Sequence, residues 1–345
     1  MEANTAYVYK AADRYYCAET KVATFKTSDP TAESFKFAHV SDSQVSGTDS
    51  ENTGVGSGEA FGKTLSAIVE NNNDFIIHGG DVVEWSKYES YWKYMLDSNF
   101  EYLSQIPVNA ISGNHEAVYR SGSYEIYKHF NNSIPEQDTK LGYYYSFEYG
   151  NVKFIMLDTN SRNSDNTLKE DQYNWLISEL ENNDCLWTIV TMHNPMYSLG
   201  KYGMNPSNNA IALALRNQLQ GVFAEYGVDI VLQGHDHLVS KTKPIDSDGN
   251  PTSATGIIEG GIGYSLDPDG VIYLMNGPAG NQIREPYNPN ANVSELQTYY
   301  DYGVASMASS WAEFELNGNA MTVTVRYIDD LGEVKNYYTW GILKN

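Results

Sequence analysis

Cysteine is nearly absent: the 345 residues hold two, Cys17 and Cys185. That excludes a disulfide framework and leaves either one bridge or, as expected here, two unrelated thiols. Positive charge is scarce as well, with 22 Lys and Arg against 44 Asp and Glu and a net charge of −22. Such a surface repels nucleic acid duplexes and anionic membranes, so neither is an expected partner. It also repels a phosphate group, unless the binding site brings its own positive charge. Long apolar runs are missing. Ile211-Ala212-Leu213-Ala214-Leu215 is about as long as they get, far short of the ~20 residues that span a bilayer, so membrane insertion is not expected. The start of the chain lacks a basic stretch followed by an apolar one, so no signal peptide is visible. Either the protein is cytoplasmic or the chain shown has lost its leader. What is present is a hydrophobic share of 41% and a charged share of only 19%, which rules out a disordered chain or a coiled coil. The 28 tyrosines outnumber all Lys and Arg, a polar but weakly charged surface that hints at an exported or cell-surface protein.

The chain is long enough to bury a large core in one big domain or two smaller ones. Tyr7-Val8-Tyr9 and Val22–Thr27 alternate like strands, and Asp29-Pro30 looks like the end of a unit. Two strands cannot bury a core alone. Residues 1–34 are therefore expected to be the tail of an upstream β domain or an edge docked on the main body. From Ser34 onward strands and helices alternate. Strands are predicted at Ser34–Ser41, Asp74–His78, Pro107–Ser112, Leu186–Met192 and Val228–Gln233, and helices at Gly58–Asn71, Leu168–Asn182 and Asn208–Tyr226. Tyr143–Tyr149 and Val152–Asp158 flank Gly150-Asn151, a hairpin signal. The rest is mostly strands and turns, closing with Ala312–Leu316, Met321–Tyr327 and Lys335–Thr339. Asp246–Asn250 tempts toward a calcium loop, but Pro251 and Ile257 stand where that pattern needs Gly and Glu. It reads as a turn. The pattern predicts a layered α/β domain with mixed sheets.

Five polar clusters follow apolar strands. They are Asp42-Ser43-Gln44, Gly80-Asp81-Val82-Val83-Glu84, Gly113-Asn114-His115-Glu116, Met192-His193-Asn194-Pro195 and Gly234-His235-Asp236-His237. Strand ends are where α/β folds place their ligands. Alone, each cluster is a turn or a core histidine. In this order they supply oxygen and nitrogen donors and no thiolate, a set suited to a pair of Mn, Fe or Zn ions.

In these five blocks the sequence resembles the calcineurin-like metallophosphoesterases, and within them the purple acid phosphatase-like branch. The likeness runs from Phe35 to roughly Lys243. It continues in Tyr143–Asn160, similar to that branch's hairpin, in Gln172–Leu180, similar to its next helix, and in Tyr273–Asn281, similar to its loop near the site. The resemblance implies a sandwich of two mixed β-sheets flanked by helices over residues 35–345. It also implies that residues 1–34 are the last strands of a truncated fibronectin-like domain. Two divalent or trivalent ions (Fe, Mn or Zn) are implied, with Asp42 and His237 on the first, Asp81 bridging, and Asn114, His193 and His235 on the second. Bridging carboxylates hold cations about 3.5–4 Å apart, the separation used for in-line phosphoryl displacement. Two divalent cations against two carboxylates leave the pocket locally positive, so the acidic surface no longer forbids a phosphate substrate.

The implied activity is hydrolysis of phosphate esters by a hydroxide held on the metals, with Asp81 and His115 as catalytic residues. His115 then contacts the substrate oxygen and protonates the leaving alkoxide, or it only orients Asn114. Glu116 is expected as an imidazole partner or a surface carboxylate. Two departures from the pattern stand out. Glu84 occupies the place of the tyrosine whose phenolate colours the purple enzymes, so no purple colour is expected. Gln44 stands where other members carry His or Gly, and either coordinates the first metal or hydrogen-bonds its water. Asn114, Tyr197 and Arg120 are expected near substrate, as are Asn194 and Tyr119; His39 and His78 read as core histidines, and Asp236 as an outer or surface residue. The substrate expected is a small phosphorylated molecule, a monoester being slightly favoured. The alternatives are a phosphodiesterase of the same family and a non-catalytic, metal-containing module that binds glycans or envelope polymers.

Overall fold

The computed structural model describes residues 1–13, 18–47, 58–117, 126–132, 142–287, 299–301 and 305–345. Ser34–Val40 lies inside an eight-stranded sheet. It runs parallel to Phe75–His78, which runs parallel to Val108–Ala110. Its other edge pairs antiparallel with Ser310–Asn317, and Ala320–Ile328 and Val334–Leu343 continue the meander. Thr255–Glu259 and Ile262–Leu266 form the far edge. A second sheet has six strands. There Val152–Met156, Trp187–Met192, Ile230–Gln233 and Ile272–Asn276 are mutually parallel, with Tyr145–Tyr149 and Val239–Lys241 antiparallel at the edges.

Strand periodicity explains the layering. In Ser34–Val40, Phe35 and Phe37 face the second sheet while Ala38 and Val40 face outward to helices. Between the sheets, Phe37 stacks on Phe314 at 4.4 Å and meets Phe154 of the other sheet edge-on at 5.2 Å. Fully burying a side chain of this size contributes about 1.5–3 kcal/mol. Helices Gly58–Glu70 and Glu89–Ser98 cover the outer face of the first sheet through Phe61, Leu65, Ile68 and Trp92. Glu170–Glu181 and Ala210–Glu225 cover the second through Trp175, Leu176, Leu215 and Phe223. The order is helix, sheet, sheet, helix.

Two elements depart from the sequence reading. Helix Glu89–Ser98 was not predicted, because only Trp92 and Met95 of it are buried, too thin a stripe to show a period. Tyr273–Asn281 is a loop only in its second half, because Ile272–Asn276 is a strand buried at every position and so shows no alternation. Before Ser34, Ala6–Tyr9 pairs with Ala23–Lys26, where strands are expected, and Ala12–Asp13 with Ala18–Glu19; among the described residues neither pair joins a large sheet. Tyr9 reaches the main body, donating its hydroxyl to Ser104 O at 3.1 Å. Asp246–Asn250 is a turn closed on the Asp246 carboxylate, which accepts the Asp248 and Asn250 amides. Cys185 carries a free thiol, and Cys17 lies outside the described residues.

Candidate metal centre

Parallel strands release their chains at one end of each sheet, and the five clusters begin there. Asp42 and Gln44 follow Ser34–Val40, Asp81 follows Phe75–His78, and Asn114 opens a single helical turn, Asn114–Ala117, after Val108–Ala110. His193 follows Trp187–Met192, and His235 and His237 follow Ile230–Gln233. To turn inward so soon, the backbone adopts left-handed conformations. Among the described residues ten non-glycine positions have positive φ, and half of them are Asp42, Gln44, Asp81, His235 and His237. Each such residue costs about 1–3 kcal/mol, strain that persists only where the surroundings impose it and that gathers at functional sites. Gly113 permits the tightest approach. A Cβ there would lie 2.0 Å from Asp81 Oδ1.

The side chains converge. His237 Nε2 lies 3.4 Å from Asp42 Oδ1, and His193 Nε2 lies 3.3 Å from Asp81 Oδ2 and 3.1 Å from Asn114 Oδ1. His193 and His235 meet ring to ring at 5.1 Å. Ligand atoms of Asp81, His193 and His235 all fall within 4.8 Å of one another. Second partners fix the rings. His193 Nδ1 donates to Gly79 O at 2.8 Å and His237 Nδ1 to Gln282 O at 2.5 Å, so each presents Nε2 to the site. Asp42 also accepts the His235 backbone N–H, tying the first cluster to the fifth. Three buried polar atoms here, Gln44 Oε1, His235 Nδ1 and His237 Nε2, have no hydrogen-bond partner. Buried polar atoms are almost always paired. Orphans of neutral N/O type at strained backbone fit cation ligands, so this donor set suits transition-metal binding.

Charge follows the geometry. Burial pushes the Asp42 and Asp81 carboxyls up, but His237 beside Asp42, and His193 and His115 beside Asp81, more than reverse this and hold both below the usual range. Burial drives His235 well below its ordinary value. For His193 burial pulls down, yet Asp81 prevails and raises it to about 9. That proton stabilises the metal-free fold in full below the unfolded value of 6.5 and is lost as pH rises through about 9. A cation taking His193 as a ligand would displace it. Metal affinity is therefore expected to rise with pH up to about 9, and binding at neutral pH to release protons. Calorimetry in buffers of different ionisation enthalpy reads the proton count, and zero release would contradict a protonated His193.

His115 stands at the rim, with Nδ1 donating to Glu84 O at 2.5 Å and Nε2 at 2.8 Å from Gln44 Nε2 and 3.8 Å from Asp81 Oδ2. Burial lowers its basicity, but Asp81 and Glu84 raise it further, for a net upward shift. Glu84 keeps its carboxylate outside the ligand cluster, where it accepts from Gln282 Nε2 at 3.1 Å. Glu116 is neither an imidazole partner nor a surface group. It is buried, and its carboxylate accepts the amides of Asp81 and Gly113 at 2.8 Å, Val82 at 2.9 Å and Val83 at 3.3 Å. Asp236 is buried too, accepting from Ser198 Oγ at 2.5 Å and Tyr202 N at 3.2 Å. His39 and His78 are core residues, paired with Asn276 and Ser43 and kept neutral by burial at about 4 and about 3. Tyr197 is turned into the helix-covered layer. Its hydroxyl donates to Gln220 and its ring packs on Tyr273 and Arg216. Asn194 is buried against Thr159 and Arg162. Arg120 and Tyr119 lie outside the described residues.

Sequence reasoning passed over Gln282, Arg284 and Tyr202. Tyr202 packs its ring 4.0 Å from the His235 ring, and Arg284 Nη1 donates to His235 O at 2.9 Å. Only the closeness of Gln282 and Arg284 to the Tyr273–Asn281 segment pointed their way.

Known proteins are similar to this chain. Purple acid phosphatase 15 of Arabidopsis thaliana is 24% identical over 314 residues, covering 82% of this chain and 52% of the relative. Purple acid phosphatase 23 of the same plant is 29% identical over 185 residues, covering 52% of this chain and 35% of the relative. The chain thus spans about half or less of the length of these curated relatives. The structure of purple acid phosphatase PPD1 from yellow lupin (Lupinus luteus) seeds shares the fold, with a TM-score of 0.75 at 19% identity over 100% of this chain and 61% of that one. The family model for calcineurin-like phosphoesterases matches residues 35–239. That span takes in every strand-end cluster from Asp42 to His237, and with it the chain belongs to the calcineurin-like phosphoesterase family, on the side of the purple acid phosphatases.

Proposed function

We propose that this chain is a metal-dependent phosphoesterase working with two cations, with phosphomonoesters as the favoured substrates. The observation that carries this is the meeting of Asp42, Asp81, Asn114, His193, His235 and His237 at strained strand ends, with buried ligand atoms left unpartnered. Asp42, His237 and Gln44 would hold one ion, Asn114, His193 and His235 the other, and Asp81 both. When bound, the two ions supply Lewis acidity toward phosphoryl oxygens and lower the pKa of water. The chain's own part is geometry and proton transfer. Gly79 O and Gln282 O set the imidazole tautomers, and His115, its Nδ1 held by Glu84 O, would carry an Nε2 proton to the departing alkoxide once Gln44 Nε2, 2.8 Å away, turns aside. Burial lowers the basicity of that imidazole, but the Asp81 carboxylate beside it, together with Glu84, more than offsets this and favours the protonated form.

The test is hydrolysis of a matched aryl phosphate monoester and bis-aryl diester after reloading with Mn, Fe or Zn. Metal-dependent turnover with the monoester ahead is expected, and no turnover with any metal would overturn the reading. His115→Asn should lower kcat by about 10²–10⁴-fold, the usual share of a positioned acid. Its metal content should not change, since no metal is assigned to His115. Export is proposed with this activity, as is the assignment of residues 1–34 to a preceding β domain. Fractionation of cells producing the protein checks the first. No described helix is long and apolar enough to cross a membrane.

A further inference from the structure

Among the described residues, Arg284 is a cation without a counterion. Acidic residues outnumber basic ones 44 to 22, so a half-buried arginine should find a carboxylate easily. Among the described residues it forms no ion pair. Its Nη1 donates to His235 O at 2.9 Å, and Nε and Nη2 have no acceptor there. The nearby carboxylate, Asp236, is already taken by Ser198 Oγ and Tyr202 N–H.

The backbone holds the guanidinium at this place. The segment 279–287 is strapped across the metal loops: Ala279 N–H donates to Ser41 O, Gln282 O accepts from His237, and Tyr287 N–H donates to Leu199 O. Ser306 Oγ donates to Arg284 O. Tyr202 forms the wall beside it, its ring 4.0 Å from the His235 ring and 5.8 Å from the Arg284 guanidinium carbon, with Lys201 Nζ at 5.4 Å. Arg284 and the Tyr202 ring thus border His235, with Lys201 against the Tyr202 ring. Unused planar N–H donors next to an oxyanion site are suited to bidentate phosphate recognition.

Resting on the phosphoesterase reading, we propose that Arg284, backed by Tyr202, recognises the second negative charge of a phosphomonoester dianion. A diester monoanion lacks that charge and gains little from it. Glu84, beside His115 on the other rim, cannot serve this way, and Arg162 is turned to Thr159 O and Asn194.

The test reads binding, so it does not depend on turnover. Metal-loaded protein at about pH 8, where a phosphate group is largely dianionic, is titrated calorimetrically with inorganic phosphate and with dimethyl phosphate. Arg284→Gln should weaken inorganic phosphate by roughly tenfold or more and dimethyl phosphate by less than about threefold, the loss typical of one charge-assisted hydrogen bond. Arg284→Lys, which keeps the charge, should retain most of the preference, and metal content should stay unchanged in both. Equal losses for the two ligands, an unchanged phosphate affinity, or no phosphate binding by the parent protein would each overturn the clamp. So would loss of metal in Arg284→Gln, which would make Arg284 a brace for the His235 loop. Discrimination without turnover of any ester would leave the clamp standing and remove the catalytic reading instead.

Discussion

Asp81→Asn is expected to abolish nearly all turnover and to lower the bound metal from two equivalents toward one, in a chain that still folds. On the proposed reading, Asp81 would serve both ions. Its Oδ2 faces His193 Nε2 at 3.3 Å, and its Oδ1 accepts the His115 amide at 2.8 Å. An asparagine removes the negative charge and offers one oxygen where two are in use. It must then either leave the His115 amide unpaired or turn an NH₂ toward the cations. Replacing an outer partner of a metal site costs about 10–100-fold in affinity or activity, and the loss here should exceed that. Metal analysis together with kcat on the aryl monoester checks both parts. Full turnover with two metals retained would sink the dinuclear mechanism.

Glu116→Gln carries the second large effect, although Glu116 touches no expected ligand side chain. Its carboxylate joins the loop of Asp81 to the loop of Asn114 through backbone amides alone. A glutamine supplies one acceptor and sets an NH₂ against the remaining amides. Each buried donor left unsatisfied costs about 1–3 kcal/mol, and the Asp81 loop loses the anchor for its left-handed backbone. Metal affinity should fall by about 10–100-fold and the denaturant midpoint should drop. A control separates the two. Asp229 is another buried carboxylate, accepting from Thr188 N and Lys344 Nζ at the opposite ends of the strands. Asp229→Asn should cost stability and leave metal affinity unchanged. If both variants lose metal in proportion to their stability, Glu116 is only a fold-stabilising residue.

Buried strands and their polar ends were legible because both signals are local. Trp187–Met192 is an apolar run ending at His193, and Phe75–His78 ends three residues before Asp81. Helix Ala210–Glu225 shows its period through Ala212, Leu215, Leu219 and Phe223. Glu116 was misread for a local reason as well. It adjoins His115 in the chain, but the single helical turn sends the two side chains to different neighbours. What Glu116 binds is decided by the loop 81–83 folding back onto it. Tyr202 and Arg284 lie far apart in sequence and share no motif with His235, so nothing local could join them.

The sequence by itself determined the class of donor and the alternation of strands and helices. Asp, Asn, His and Gln clusters without a thiolate, each behind an apolar strand, specify oxygen and nitrogen ligands at the ends of an α/β sheet. Tertiary structure alone decided which atom of each donor is presented. It sets the His193 and His237 tautomers through Gly79 O and Gln282 O, turns Glu116 onto four amides, and leaves Arg284 without a counterion among the described residues. The physical reason is range: periodicity and turn chemistry act over a few residues, whereas these contacts join segments up to more than a hundred residues apart, such as His193 with Gly79.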